Sequence, residues 1–105
     1  MKMKTDRYSV SIEQVHRMWS AQTPMPVRDP GPARAAAKAN FAAYGLGFAL
    51  RDYRGQRLVW HSGGLPGQIS WVTLVPDLEL AIVLLSNKEP NPGLEALTFQ
   101  IIDHL

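Results

Sequence analysis

The residues that could do chemistry are concentrated in one short segment, residues 60–68, with the sequence Trp-His-Ser-Gly-Gly-Leu-Pro-Gly-Gln. An imidazole, His61, stands beside a hydroxyl, Ser62, and three glycines follow. An imidazole can act as a general base near neutral pH, and a hydroxyl becomes a nucleophile when a base activates it. Glycine lets backbone N–H groups approach a ligand because no Cβ intervenes. The segment therefore predicts either a ligand site or a tight corner of the fold.

His61 and Ser62 do not form a catalytic pair by themselves. Neighbouring residues of an extended segment point to opposite faces, so a hydrolase would need a nucleophile from elsewhere. The sequence contains no Ser-x-x-Lys, no Gly-x-Ser-x-Gly and no Tyr-x-Asn or Tyr-x-Ser motif. His61 could equally be a histidine at a strand end that bonds a carbonyl, and the glycines could form a wide hairpin corner. Residue types alone leave both interpretations open.

The composition indicates a globular domain, or part of one, and excludes several classes of function. The chain has 105 residues, of which 46% are hydrophobic and 19% are charged. The net charge of +2 is too small for a nucleic-acid surface, and the longest apolar run, residues 80–85, is too short to span a bilayer. Cysteine is absent, and the three histidines lack metal-ligand spacing. We predict no cofactor, no metal, no nucleic acid and no membrane span; no signal peptide is evident, so the compartment is unknown.

The first half of the chain predicts one helix and a long loop. Residues 1–8 are polar and are predicted to be disordered. Ser11 is a suitable N-cap with Gln14 placed to bond back to it, and apolar residues follow at helical spacing. This pattern predicts a helix over residues 11–20, which the prolines from Pro24 onward prevent from continuing. Residues 21–43 are predicted as a loop, and its alanine-rich part could form a short helix.

Residues 44–87 predict an antiparallel meander of about four strands. Apolar residues alternate with small or polar ones from Leu46, and again in residues 69–75, as in strands. Gly55 suits a hairpin turn between the first two strands, and Asp77 suits a turn before the last. The last strand, residues 80–85, has no polar position, so we expect both of its faces to be covered.

The chain ends in a predicted helix over residues 91–105, with Asn91 as N-cap and Pro92 at the first helical position. The predicted fold class is therefore α+β: an antiparallel sheet of about four strands with the N- and C-terminal helices packed on one face. Two helices cover about one face of such a sheet. The other face must be covered by a second copy of the chain or by a domain outside it.

Four short motifs, in this order, resemble the C-terminal part of the serine β-lactamase-like hydrolases, in the branch of class C β-lactamases, D-alanyl-D-alanine peptidases and esterases. They are Tyr-Gly-Leu-Gly-Phe at residues 44–48, His-Ser-Gly-Gly-Leu-Pro-Gly at 61–67, Val-Pro-Asp at 75–77 and Val-Leu-Leu-Ser-Asn at 83–87. The resemblance covers residues 9–105. It implies a partial β-lactamase-like fold in a single domain, 1–105, that forms the C-terminal fragment of a larger hydrolase.

The resemblance also implies roles for the residues of the glycine segment. His61 would face the cleft as a catalytic imidazole, and Ser62 and Gly63 would contact substrate. The Gly64 N–H would be one oxyanion-hole donor, a position where a backbone N–H can stabilise developing negative charge. The family's other two motifs, Ser-x-x-Lys with the nucleophile and Tyr-x-Asn, are missing here.

The function expected from these observations is that of a C-terminal segment of a serine acyl-hydrolase, inactive alone because it lacks the nucleophile. The substrate in the full-length context would be a small molecule or peptide: a β-lactam, a D-amino-acid peptide or an ester. The protein partners to consider are a homodimer and a complementing N-terminal half. The alternative is a free-standing oligomerisation or protein-interaction module that uses the uncovered sheet face.

Overall fold

The structure is a computed structural model that describes residues 10–29, 31–88 and 93–105. Its centre is a six-stranded antiparallel sheet in which the strands follow chain order. The strands are β1 (Thr23–Pro24), β2 (Ala42–Tyr44), β3 (Ala49–Tyr53), β4 (Gln56–Leu65), β5 (Gln68–Val75) and β6 (Leu80–Ser86). Helix α1 (Ile12–Met18) precedes the sheet and helix α2 (Gly93–Asp103) follows it. The predicted α+β class, with an antiparallel sheet and terminal helices, is confirmed.

Helix α1 begins as the sequence predicts and ends earlier. The Ser11 hydroxyl accepts a hydrogen bond from the Gln14 N–H at 3.2 Å, which confirms the N-cap. The helix ends at Met18 rather than at residue 20, and Trp19 caps it. Ser20 lies beyond the helix, and its hydroxyl donates to the His16 carbonyl at 2.6 Å. The predicted N-cap of the last helix, Asn91, and its neighbour Pro92 lie outside the described residues, as do residues 1–8.

Residues 21–43 contain more structure than the predicted loop. A 3₁₀ helix, Pro32–Ala37, occupies the alanine-rich stretch. The two-residue strand β1 and the three-residue strand β2 pair with each other, and β2 also pairs with β3. Two or three residues are too few to show an alternating pattern. These strands form because their backbones bond to partners distant in sequence, which the local sequence does not reveal. The sheet consequently has six strands rather than about four.

The strand predicted to begin at Tyr44 is in fact a hairpin. Tyr44 ends β2, and β3 begins at Ala49 after a turn over residues 45–48. Within this turn Gly47 has φ +88, a conformation that side-chain-bearing residues rarely adopt. Leu46, predicted to lie on a strand, is 48% exposed. Apolar residues alternate with Gly45 and Gly47 as they would in a strand, but the chain reverses direction here.

The two helices pack on opposite faces of the sheet, which corrects the prediction that they share one. Leu58 is buried with Phe99 and Ile102 of α2. The next residue, Val59, is buried in a second cluster against which Trp19, the cap of α1, packs. Consecutive strand residues point to opposite faces. We call the Leu58 side the α2 face and the Val59 side the α1 face.

The last strand is covered on one face and not on the other. Ile82 is buried on the α2 face, whereas Val83 and Leu85 on the α1 face are 63% and 78% exposed. Trp19 reaches the part of the α1 face near β3 and β4, and it leaves β6 uncovered. The expected uncovered sheet face therefore exists, and it is formed by alternate residues of the strand that lacks a polar position.

Contacts from the middle and the C-terminal end of α2 hold it against the sheet. Tyr53 stacks on Phe99 with ring centroids 4.2 Å apart, and its hydroxyl donates to the Asp103 carboxylate at 2.9 Å. Burial, with this hydrogen bond, raises the pKa of the Tyr53 phenol. The Arg51 guanidinium also lies near Phe99, 4.8 Å from its ring centroid. These contacts join α2 to β3.

Asp52 connects the segment just before β2 to β3. Its carboxylate accepts hydrogen bonds from the Asn40 N–H at 2.6 Å, the Asn40 side-chain amide at 2.6 Å and the Phe41 N–H at 3.1 Å. Burial would raise the pKa of this carboxyl, but the hydrogen bonds outweigh burial and hold the pKa below its ordinary value of 3.8. The folded state therefore favours the ionised form.

We predict that Asp52→Asn lowers the free energy of unfolding at pH 7 by about 1 kcal/mol, because hydrogen bonds to a charged acceptor are replaced by weaker ones in a partly solvated place. Since the folded pKa is depressed, the contribution of Asp52 is present above pH 4 and is lost as the pH falls through the folded value. Urea denaturation should therefore show that the wild type and Asp52→Asn differ in free energy of unfolding at pH 7. This difference should be smaller at pH 3. Asp77→Asn, which removes an exposed carboxylate, serves as control. A difference that is equal at both pH values would contradict the assignment.

Gly45 lies where α1 ends. A Cβ built on Gly45 would stand 2.3 Å from the Met18 carbonyl oxygen, a backbone atom that cannot rotate away. We predict that Gly45→Ala destabilises the fold by about 1–3 kcal/mol through overpacking. Leu46→Ala, at the exposed neighbour, should change stability by less than about 0.5 kcal/mol. Thermal or urea unfolding followed by tryptophan fluorescence measures both, and equal effects would refute the close-approach explanation.

Candidate active-site strand

The predicted site residues all lie on one strand rather than in a wide loop. Strand β4 continues through Gly63 and Gly64 to Leu65, and the turn consists of two residues, Pro66 and Gly67. Proline restricts φ, and Gly67 has φ +77, which together suit a tight reversal. The interpretation of the glycines as a wide hairpin corner is therefore wrong, because Gly63 pairs with Ser70 and Gly64 with Ile69.

The register determines which way the backbone of β4 points. Opposite residues of an antiparallel pair alternate between those that exchange backbone hydrogen bonds and those that do not. The turns at Gly55 and Gly67 each close a two-residue hairpin, whose flanking residues form a bonded pair. Counting from either turn gives the same result: even-numbered residues of β4 direct their N–H and C=O groups toward β3, and odd-numbered ones toward β5.

This geometry gives β4 an open edge at the glycine segment. Along this side of β4, strand β3 extends only as far as its first residue, Ala49, which pairs with Trp60. In the described register no residue of β3 lies opposite Ser62 or Gly64, although the backbone groups of both point to that side. We call this stretch, residues 61–65, the open edge of β4. A backbone N–H at such an edge is available to a ligand oxygen.

His61 and Ser62 lie on opposite faces, as their adjacency predicts. His61 is on the α1 face, exposed, and its row across the sheet continues through Val72 to Val83. Ser62 is half-buried and pairs with Trp71, and its side chain belongs to the α2 face. The structure thus places His61 and the Gly64 backbone on one strand and separates the Ser62 hydroxyl from the imidazole by the thickness of the sheet.

Gly63 lies in a crowded row. It pairs with Ser70, which in turn pairs with Leu85. A Cβ on Gly63 would stand 2.9 Å from the Ser70 hydroxyl oxygen, and that hydroxyl donates a long hydrogen bond, 3.4 Å, to the Gly63 carbonyl. A side chain at residue 63 would therefore make the Ser70 hydroxyl rotate away from its present position. Glycine here lets β5 pack closely against the site strand.

An open hollow of about 790 Å³ lies at the turn end of these strands. Residues of β4, β5 and β6 line it together with Asn87, which follows β6; the strand residues include Gly63, Gly64, Leu65, Ser70 and Leu85. Its size suits a small ligand. Among residues 10–29, 31–88 and 93–105, no cluster of His, Asp or Glu could hold a metal ion. Within the same ranges no helix is long and apolar enough to cross a membrane.

Two residues of this region were not predicted as site residues from the sequence. Ser70 adjoins Gly63, and the Tyr44 ring lies edge-on to the His61 ring with centroids 6.4 Å apart. Ser70 could have been found by counting the hairpin register outward from Gly67. Tyr44 is 17 residues from His61 in sequence, and only the pairing of β2, β3 and β4 brings the two together.

Comparison with known proteins gives a consistent result. The beta-lactamase family model matches residues 9–105. Among curated proteins, the chain is 33% identical over 88 residues to the unguisins hydrolase ungD' of Aspergillus campestris (strain IBT 28561). That match covers 82% of this chain and 15% of the relative, so the chain spans a small part of the relative's length. No solved structure matches the chain.

The family match covers nearly all of the chain, and the motifs noted in the sequence lie on the strands of an antiparallel sheet and in the turns next to them. The chain therefore belongs to the beta-lactamase family.

Proposed function

We propose that this chain forms one wall of the active site of a serine acyl-hydrolase and supplies an oxyanion donor and an imidazole, but no nucleophile. The observation that carries the proposal is the open edge of β4: the Gly64 N–H points away from β5 to a side where β3 has ended, and His61 is exposed three residues earlier. Membership of a hydrolase family supports it.

The chemistry proposed for this wall is electrostatic. When a serine oxygen bonds to the substrate carbonyl carbon, the π electrons of the carbonyl move onto its oxygen. The Gly64 N–H would donate to that oxygen, and a preorganised donor of this kind lowers the barrier by about 3–4 kcal/mol. His61 would polarise the cleft or pair with a substrate carboxylate, and Ser62 and Gly63 would contact substrate. The proton of the serine would pass to a base that, like the serine, these residues do not provide.

The position of the uncovered face suggests where the nucleophile comes from. His61, Val72 and Val83 form one row across the sheet, and Gly63, Ser70 and Leu85 form the next. A polypeptide that covers the exposed Val83 and Leu85 would therefore lie on the face that bears His61. We propose that the complementing N-terminal half of the hydrolase, with its Ser-x-x-Lys motif, packs there and completes an acyl-enzyme site.

The proposed substrate is a β-lactam, a D-amino-acid peptide or an ester. The curated relative is named as a hydrolase of unguisins, which makes unguisins a further substrate to test. The cleft loops that select among these substrates would belong to the proposed complementing half.

We predict that the 105-residue chain alone does not hydrolyse nitrocefin or p-nitrophenyl acetate with saturable kinetics, because an oxyanion donor without a nucleophile forms no acyl-enzyme. The measurement is initial rate against substrate concentration, with His61→Ala as the matched variant. Equal, linear background rates for both chains are expected. Saturable turnover that His61→Ala abolishes would overturn the proposal that the nucleophile lies elsewhere.

A second candidate function, an oligomerisation or protein-interaction module, is favoured by the same exposed face. Val83 and Leu85 adjoin each other on alternate positions of β6, which lies at the edge of the sheet and has no further strand beside it among the described residues. Exposed apolar edge strands are prone to pair with other chains. In this case the face would bind a second copy of the chain and need no missing half.

For this alternative we predict a concentration-dependent dimer in light scattering coupled to size-exclusion chromatography. Val83→Ser with Leu85→Ser should shift the chain to monomer, because the apolar surface that drives pairing is removed. Leu105→Ser is the control, since Leu105 is similarly exposed, at 74%, but lies beyond α2 rather than on the sheet. A wild-type chain that stays monomeric at high concentration would exclude the homodimer.

A further inference from the structure

The turn between β2 and β3, residues 45–48, is hydrogen-bonded to the end of helix α1 as well as within itself. The Leu46 N–H donates to the Met18 carbonyl at 3.0 Å, and the Gly45 N–H donates to the Phe48 carbonyl at 2.7 Å. Gly45 is buried against the end of α1, with no room for a Cβ. The end of α1 therefore fixes the position of this turn relative to the sheet.

The residue that this arrangement holds in place is Tyr44. The register aligns Tyr44 with Ala49 and Ala49 with Trp60, so Tyr44 lies in the row next to that of His61, level with the start of the open edge of β4. That row belongs to the α2 face and His61 to the α1 face, so the two rings meet at the strand edge and not within one row. The Gln22 N–H donates to the Tyr44 carbonyl at 3.0 Å, which ties its backbone to the chain before β1. Tyr44 is half-buried, whereas His61 is exposed.

The rings of these two residues meet edge to face. Their centroids are 6.4 Å apart and their planes are inclined by 64°. Such inclined arrangements are favoured between aromatic rings. An exposed imidazole at a strand edge would otherwise sample several rotamers, so a fixed ring on one side restricts the directions in which the His61 nitrogens can point.

We infer that Tyr44 is a positioning residue, whose ring, fixed by the α1-bound turn, holds the His61 imidazole at the open edge of β4. The significance of this role for catalysis rests on the proposed function. The positioning itself is a property of the chain alone. It also explains the two glycines of the turn, since Gly45 admits the end of α1 and Gly47 supplies the positive φ.

The test is NMR of the intact 105-residue chain with labelled histidine rings. The spectrum of His61→Gln identifies the His61 ring resonances among those of the three histidines. In the wild type these resonances should show a ring-current displacement that Tyr44→Phe retains, because the ring remains. Tyr44→Leu should lose the displacement and broaden or average the His61 signals. Phe48→Leu, which removes a ring from the same turn, should leave them in place.

The indole resonances of Trp60 and Trp71, which stack at 4.6 Å, report whether each variant is folded. A folded Tyr44→Leu chain with unchanged His61 resonances would overturn the inference, and so would loss of the displacement in Tyr44→Phe. If Tyr44→Leu does not fold, Tyr44→Phe and Phe48→Leu can still overturn the inference, because it requires that neither substitution moves the His61 resonances. Failure of the proposed function would appear instead as absence of hydrolysis after the N-terminal half is added, so the two failures are distinguishable.

Discussion

The structure depends on the burial of two neighbouring residues of β4 in two different clusters. Leu58 packs with α2 and Val59 packs with the cluster that includes Trp19. Because strand side chains alternate between faces, a slip of one residue would exchange the two and expose both to the wrong neighbours. The two tight hairpins at Gly55 and Gly67 impose the same register from either side. The face on which each later residue of β4 lies is therefore fixed by this register.

The arrangement of the candidate site follows from that register. His61 must lie on the face of Val59, and Ser62 must lie on the other. Gly64 must direct its backbone away from β5, and because β3 is short, that side is open. A site at this edge therefore needs few side chains of its own. It needs a strand with a well-determined register, here β4, beside a shorter neighbouring strand, here β3.

The same register explains why an exposed apolar face and the candidate site coincide. Rows of paired residues run from β4 through β5 to β6, so the exposed Val83 and Leu85 lie in the rows of His61 and Gly63. A partner that buries the apolar surface also approaches the imidazole. For a segment of a hydrolase, burial of this face and completion of the site would be one event, in which hydrophobic burial supplies the driving force and the strand edge supplies the geometry.

Much of this was predictable from local patterns. The Ser11 cap, the long strands β4, β5 and β6 and the terminal helix all have periodicity or turn residues that identify them, and the His-Ser-Gly-Gly motif directs attention to β4. The amino-acid sequence by itself determined the family, the α+β class and the separation of His61 from Ser62, because these follow from motifs and from strand alternation. Only the tertiary structure decided the rest: the short strands β1 and β2, the opposite placement of the two helices, the open edge at Gly64 and the contact between Tyr44 and His61. These depend on hydrogen bonds and packing between residues far apart in the chain, which leave no periodic trace in the sequence around either partner.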